Sequence, residues 1–383
     1  MRRGASIVEF VASSQVVSIP VSQPNLGEAE AANVMEAMAS TRISSSGPFL
    51  DRFEAEFAEL VGVRHGIATS SGTSALQLAL AAHGVTRGDE VILPSMTFAA
   101  VANAVVACGA TPRLVDIDPA SLTLCPVAFE RAITSRTKAV IPVHLYGHPA
   151  NMDVVRRVAD RHSVVVIEDA AEAHGARYRG LCVGSLGDSA VFSFYGNKIL
   201  TTGEGGMVLT DDDALASRLR RLRGQGIDPS RAFWAVEAGF NFRLSNVAAA
   251  IGLAQVRRFD EISAGFRRVA ELYRRALGDH QHIELIQPSP DVEAADWLFT
   301  ILFRESAVNR DDTMAALAAR GIETRPVFPP LHLMAPFRDE AARCPQAERC
   351  AARGLSLPTS SLMSEDDVAF VVTSLLAVLG PAT

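Results

Sequence analysis

Short, continuous apolar runs alternate along this chain with longer stretches of helical periodicity. Val91 to Pro94, Pro112 to Val115, Ala139 to Pro142, Val164 to Ile167, Ala190 to Phe194 and Met207 to Leu209 have strand length. Helical patterns cover Ser74 to His83, Phe98 to Cys108, Met152 to Arg161 and Asp212 to Arg221. The alternation predicts an α/β domain with a mostly parallel sheet between helices, its functional side chains gathered along the strand ends. Runs that are apolar throughout fit strands covered on both faces. Farther on, helical patterns from Ser245 to Leu277 lead into a smaller unit. There Trp297 to Phe303 reads as a strand and Asp311 to Arg320 as a helix. At 383 residues the chain exceeds what one hydrophobic core usually organises. We expect an N-terminal extension over 1–18, a large domain over 19–265 and a small C-terminal α/β domain over 266–383.

Composition narrows the picture. The net charge is −7 and the basic residues are dispersed, which gives no electrostatic footprint for nucleic acid. Cys108, Cys125, Cys182, Cys344 and Cys350 lack metal or disulfide spacing, as expected of reduced thiols in a cytoplasmic protein. The run Ser6 to Val17 contains Glu9 and the polar Ser13-Ser14-Gln15, so it makes a poor signal peptide. No stretch approaches the ~20 apolar residues of a membrane span.

Three segments carry candidate chemistry. Thr69-Ser70-Ser71-Gly72-Thr73-Ser74 enters a helical pattern, and small hydroxylated residues with a glycine at a helix start can cradle a phosphate. The same residues also suit an ordinary N-cap. The run Ser163-Val164-Val165-Val166-Ile167 ends in Glu168-Asp169, which places a carboxylate at the end of a buried strand, where it either caps the next helix or serves a site. Lys198 follows the apolar run Ala190 to Phe194 and precedes Thr201-Thr202-Gly203-Glu204-Gly205-Gly206. Alone, such a lysine is more often a strand-end residue reaching solvent. If buried, its charged form is disfavoured and its amine is prepared to condense with a carbonyl.

Cradle, strand-end Asp169 and Lys198, taken in this order, resemble fold-type I enzymes dependent on pyridoxal 5'-phosphate (PLP), and in particular the nucleotide-sugar aminotransferase family. The likeness extends from Ile19-Pro20-Val21 through Pro94-Ser95-Met96-Thr97-Phe98, His144-Leu145-Tyr146-Gly147 and Asn241-Phe242-Arg243-Leu244 to Arg353-Gly354-Leu355-Ser356-Leu357-Pro358. It implies that Lys198 attaches the cofactor and then shuttles the proton, while Asp169 pairs with the ring nitrogen. By the same resemblance Gly72, Thr73, Ser74 and Ser193 contact the phosphate, and Phe98 stacks on the ring. Asn241 reaches the phosphate from a partner subunit of a homodimer with shared active sites. Glu172 stands where many relatives carry Gln near the phenolic oxygen, which unsettles a simple charge argument there. Ser45, His332, Arg325 and Arg243 are candidate substrate contacts.

L-glutamate and a nucleotide-linked keto sugar are the substrates the resemblance implies. The loops around Ser45, Thr201 and Phe233-Trp234 most resemble the branch that aminates carbon 4 of a GDP-linked 4-keto-6-deoxy sugar. Aminotransferases of 3-keto sugars or keto-inositols share most of these motifs. A PLP-dependent sugar dehydratase would carry His in place of Lys198, and a non-catalytic regulator would be expected to lose Lys198 or Asp169.

Overall fold

In the computed structural model the described residues are 19–286, 290–304 and 308–380, so the expected extension over 1–18 and the run Ser6 to Val17 lie outside them. Helices α1 (Glu28–Ala39) and α2 (Pro48–Val61) precede the first strand, β1 (His65–Thr69). There follow α3 (Gly72–Ala82), β2 (Glu90–Pro94), α4 (Ala100–Ala107), β3 (Thr111–Val115), α5 (Pro126–Ala132), β4 (Thr137–Val140), α6 (Met152–His162) and β5 (Val165–Asp169). A small hairpin, β6 (Arg177–Tyr178) and β7 (Leu181–Cys182), separates β5 from β8 (Ser189–Ser193) and β9 (Gly206–Thr210). Helices α7 (Asp213–Arg223), α8 (Asn246–Arg257) and α9 (Phe259–Leu277) come next.

The central sheet has the order β1-β9-β8-β5-β4-β2-β3. Only β9 runs against its neighbours, so the carboxyl ends of the other strands share one edge. Each strand and helix expected for this part is present to within two residues at either end. The apolar pattern missed β1, because His65-Gly66-Ile67-Ala68-Thr69 mixes polar and small residues. Gly66 is needed there, since a Cβ would stand 2.5 Å from the Glu54 carbonyl oxygen. At the ends of the helices, side chains of Ser71, Asn151, Asp212 and Ser245 accept from first-turn N–H groups of α3, α6, α7 and α8.

The second sheet is antiparallel, with β10 (Ile283–Leu285), β12 (Phe299–Phe303), β14 (Gly354–Leu357) and β13 (Arg325–Pro326) in that order. Between β10 and β12, β11 (Val292–Glu293) pairs with β6. Helices α10 (Arg310–Ala318), α11 (Pro345–Arg353) and α12 (Glu365–Leu379) complete the chain. The expected strand from Trp297 starts instead at Phe299, three residues after Asp296 adopts a left-handed conformation (φ 57°) and turns the chain. Ile262 and Phe266 of α9 pack in the core of the large sheet, whereas Val269, Ala270, Tyr273 and Leu277 pack in the core of the second. One continuous helix therefore serves both cores, and residues 265 and 266 lie within it.

Period-2 alternation along β5 directs Glu168 and Asp169 to opposite faces. Glu168 is fully buried and accepts four hydrogen bonds: from the N–H groups of Leu186 and Gly187 at 2.7 Å each, from Gly184 N–H at 2.9 Å and from His144 Nε2 at 3.0 Å. Because His144 Nδ1 accepts from Ala150 N–H, the Nε2 position carries the proton. This carboxylate ties the β7–β8 turn to the end of β5, the strand that delivers Asp169. In Glu168→Gln the amide NH2 faces N–H donors whichever way it turns. We expect a loss of about 3–5 kcal/mol, read as a lower urea midpoint at an unchanged m-value.

Candidate active site

The strand ends of the large sheet open onto a cavity of about 370 Å³ whose lining includes Gly72, Thr73, Phe98, Asp169, Glu172, Ser193, Lys198 and Arg325. Residues far apart in sequence are thus brought together at the edge the alternation predicts. A larger depression of about 680 Å³, lined by His83, Arg156, Asp188 and Arg218 among others, contains none of these residues. The described residues hold no cluster of three metal-ligating side chains, and none of their helices is long and apolar enough to cross a membrane.

Lys198 sits in a turn closed by its own N–H donating to the Tyr195 carbonyl at 2.9 Å. Its Nζ lies 3.4 Å from Glu172 Oε1 and 3.7 Å from the centroid of the Trp297 indole. Burial pushes the ammonium below its usual pKa, and the carboxylates of Glu172 and Asp169 oppose that shift. The Glu172 carboxylate is itself fixed, because Oε2 accepts from Tyr146 N–H at 2.8 Å. Tyr146 is held in the left-handed region (φ 54°), a cost its surroundings must offset, and its hydroxyl accepts from Phe328 N–H at 2.9 Å.

Asp169 ends β5, with Oδ1 accepting from Ala171 N–H at 3.1 Å. Its burial raises the carboxyl from 3.8 to about 6. At the start of α3, the Ser71 side chain accepts from Ser74 N–H, leaving the N–H groups of Gly72 and Thr73 for an acceptor beyond the helix. A Cβ on Gly72 would come within 2.9 Å of Ser193 Cβ, so helix start and strand end meet only because residue 72 is glycine.

Five expected residues lie outside this lining. Ser74 belongs to the helix cap: its hydroxyl accepts from Ser71 N–H and donates to Ser71 O, so it does not line the cavity. His332 is also outside the lining, with Nδ1 2.7 Å from Ser95 Oγ and Nε2 3.2 Å from Glu348. It joins the loop ahead of Phe98 to α11. Ser45 lies in the turn before α2, away from the cavity. Arg243 is exposed and donates from Nε to Asn241 Oδ1, and Asn241 is exposed as well. Sequence reading missed an aromatic wall in which Tyr146 stacks between Trp297 and Phe328, with Phe98 against Phe328. Tyr146 stood in a quoted motif, whereas Trp297 was absorbed into a strand. Its one signal was scarcity, as the chain has two tryptophans.

The model of the DegT/DnrJ/EryC1/StrS aminotransferase family matches residues 24–376. The chain belongs to this family and is a PLP-dependent aminotransferase. It is 48% identical over 370 residues to GDP-perosamine synthase of Caulobacter vibrioides, covering 96% of this chain and 100% of that one. To the protein of the same name from Escherichia coli O157:H7 it is 41% identical, covering 93% and 97%. Among solved structures, DesV of S. venezuelae superposes with a TM-score of 0.87 at 39% identity, covering 92% of this chain and 95% of that one. DesI, solved in the presence of its TDP-sugar product, gives a TM-score of 0.88 at 38% identity, covering 94% and 92%.

The raised Asp169 carboxyl yields a pH-dependent prediction. A folded-state pKa above the unfolded one penalises the ionised form: nothing is lost below pH 3.8, and the penalty is complete above about 6. The gap of roughly two units corresponds to about 3 kcal/mol. Cofactor-stripped Asp169→Asn should therefore be more stable than wild type by up to about that amount at pH 7–8 and equal to it at pH 3.5 or below, as read from urea unfolding at each pH.

Proposed function

We propose that this aminotransferase moves the amino group of L-glutamate to carbon 4 of a GDP-linked 4-keto-6-deoxyhexose. The observation that carries this reading is the 48% identity to a GDP-perosamine synthase matched along its whole length. The cavity fits the cofactor at both poles: unpartnered N–H groups at a helix start for a phosphate, and a buried strand-end carboxylate for a ring nitrogen. When bound, pyridoxal phosphate supplies a carbonyl that exchanges amines and a ring that accepts the electron pair released at the substrate carbon.

The chain's own residues divide the remaining work. Lys198 would anchor the cofactor and, once free, carry a proton to and from the substrate carbon, and burial lowers its pKa in the direction that makes the amine a more available base. Glu172 keeps that amine in place through the 3.4 Å contact. Asp169 pairs with the ring nitrogen, and a cationic partner restores the ionised form that burial disfavours. The Gly72 and Thr73 N–H groups and the Ser193 hydroxyl receive the phosphate, while Phe98 covers the ring face. Arg325, on the lining and ion-paired with Glu323 at 3.7 Å, is the cation positioned for an anionic group of the substrate. Ser74 and His332 support this site through the cap and the Ser95 contact, without touching substrate.

The exposure of Asn241 and Arg243 supports a homodimer in which each chain completes its partner's site. The Asn241 amide would donate to the partner's cofactor phosphate. The N-cap of α8 is Ser245, which leaves Asn241 free of that duty.

Two experiments test these readings. Given L-glutamate and a panel of GDP-, dTDP- and UDP-linked 4-keto and 3-keto sugars, the enzyme should turn over the GDP-linked 4-keto sugar fastest, with nitrogen on carbon 4 by NMR. Lys198→Ala should lower kcat by at least about 10⁴-fold. Nitrogen on carbon 3, or activity confined to a keto-inositol, would sink the assignment. For the dimer, inactive Lys198→Ala chains mixed with impaired Asn241→Ala chains should regain up to about a quarter of wild-type activity after subunit exchange, because one of the two sites in each mixed dimer is intact. A mixture as inactive as its parents despite proven exchange rules out shared sites.

A further inference from the structure

Trp297 has a relation to Lys198 that the roles above do not use. Its indole face lies 3.7 Å from Nζ, and its Nε1–H donates at 2.6 Å to the carbonyl of Asn197, the residue immediately before the lysine. The ring is 3% exposed and is stacked on Tyr146 at 6.4 Å and 14° between planes, with Phe328 behind. Anchored at its N–H and backed by two rings, the indole is held to the same turn that carries the lysine. A tryptophan that only fills space between two sheets has no need to present its face to an ammonium.

We propose that Trp297 is a positioning residue whose indole face holds the Lys198 ammonium whenever that amine is detached from the cofactor, keeping it beside Glu172 and within reach of the substrate carbon. The inference rests on the reading of Lys198 given above. The physical reason is the attraction between a cation and the negative face of an aromatic ring, which is strongest for indole and grows as water is excluded. Without such a platform, a four-carbon side chain released into a cavity of about 370 Å³ has many rotamers that place its amine elsewhere. Glu172 fixes one direction of approach and Trp297 a second, so together they define a resting point for Nζ. The other charges near the amine are Asp169, which favours its protonation, and Arg325, which opposes it. His174, buried behind, has its pKa depressed to about 3 and stays neutral.

The chain has only two lysines, and the second, Lys138, is exposed on β4, so Lys198 can be followed cleanly. Full-length enzyme carrying Lys138→Arg would be treated with L-glutamate to free the Lys198 amine, then trace-labelled with acetic anhydride across a pH series and mapped by peptide mass spectrometry. Removing an interaction that favours the ammonium must lower the pKa of the amine. Trp297→Leu should move the labelling midpoint of Lys198 down by about one pH unit, with Trp297→Phe in between. Both variants should lose kcat, by about tenfold for Leu, with KM for L-glutamate within about twofold of wild type. The Phe variant preserves the packing if Leu does not fold. Borohydride reduction separates the two levels of the argument: fixation of the cofactor on a residue other than Lys198 in the wild type overturns the underlying reading. Normal fixation on Lys198, with a labelling midpoint unmoved in both Trp297 variants, overturns the role of Trp297 alone.

Discussion

A lysine amine buried at the strand ends of the large sheet is the constraint to which the rest of this molecule answers. Desolvation favours the neutral amine, which can form and break bonds to carbon, but an amine without charged neighbours would have no fixed location. Glu172 supplies the counter-charge at 3.4 Å, and its own position depends on the N–H of Tyr146, a residue in a conformation that isolated chains avoid. Tyr146 is in turn pinned by the Phe328 N–H in the segment following β13, in the second sheet. The position of the Glu172 carboxylate therefore depends partly on a segment that follows a strand of the second sheet.

Opposite roles for adjacent residues recur along β5. Asp169 faces the cavity and bears the cost of burial, a cost that a cationic ring nitrogen would offset in the proposed role. Glu168, one residue earlier, faces the other way and has four donors, which makes it a structural anion with no call on solvent. Two acids in sequence thus divide into a strained functional group and a satisfied scaffold, with side-chain alternation alone deciding which is which. The helix start at Gly72 follows a comparable logic: Ser71 and Ser74 satisfy each other, and the N–H groups they leave over point outward.

Close relatives and solved neighbours share this framework while their names refer to GDP- and TDP-linked sugars. The division is physically reasonable. Chemistry at strand ends and a helix start needs a rigid framework, whereas surface loops tolerate change because their backbone is solvated, which leaves room for relatives of one framework to differ in substrate. Phe233, which is 97% exposed, and Trp234 lie on such a loop between α7 and α8.

The strand–helix alternation and the helix starts near Asp212 and Ser245 were legible in the sequence, because each depends on local periodicity or on residues within one turn of one another, whereas Lys198 and Asp169 were singled out only by the order of motifs that carries the family resemblance. The strand β1 was not legible, since its pairing with β9 spans more than a hundred residues and its composition is dictated by close approach to Glu54 rather than by burial alone. Nor did local signals separate Thr73 from Ser74, two hydroxyls on one helix start of which only the first lines the cavity. His332 looked like a substrate ligand until the fold gave both its ring nitrogens to Ser95 and Glu348. Trp297, Tyr146 and Phe328 come from segments far apart in sequence and meet only in the folded chain, and no periodicity records which aromatic faces will be brought together. Sequence by itself determined which groups could do chemistry; tertiary packing decided which of them share a desolvated space, because burial and distance, which set the state of an amine or a carboxyl, are properties of the assembled chain.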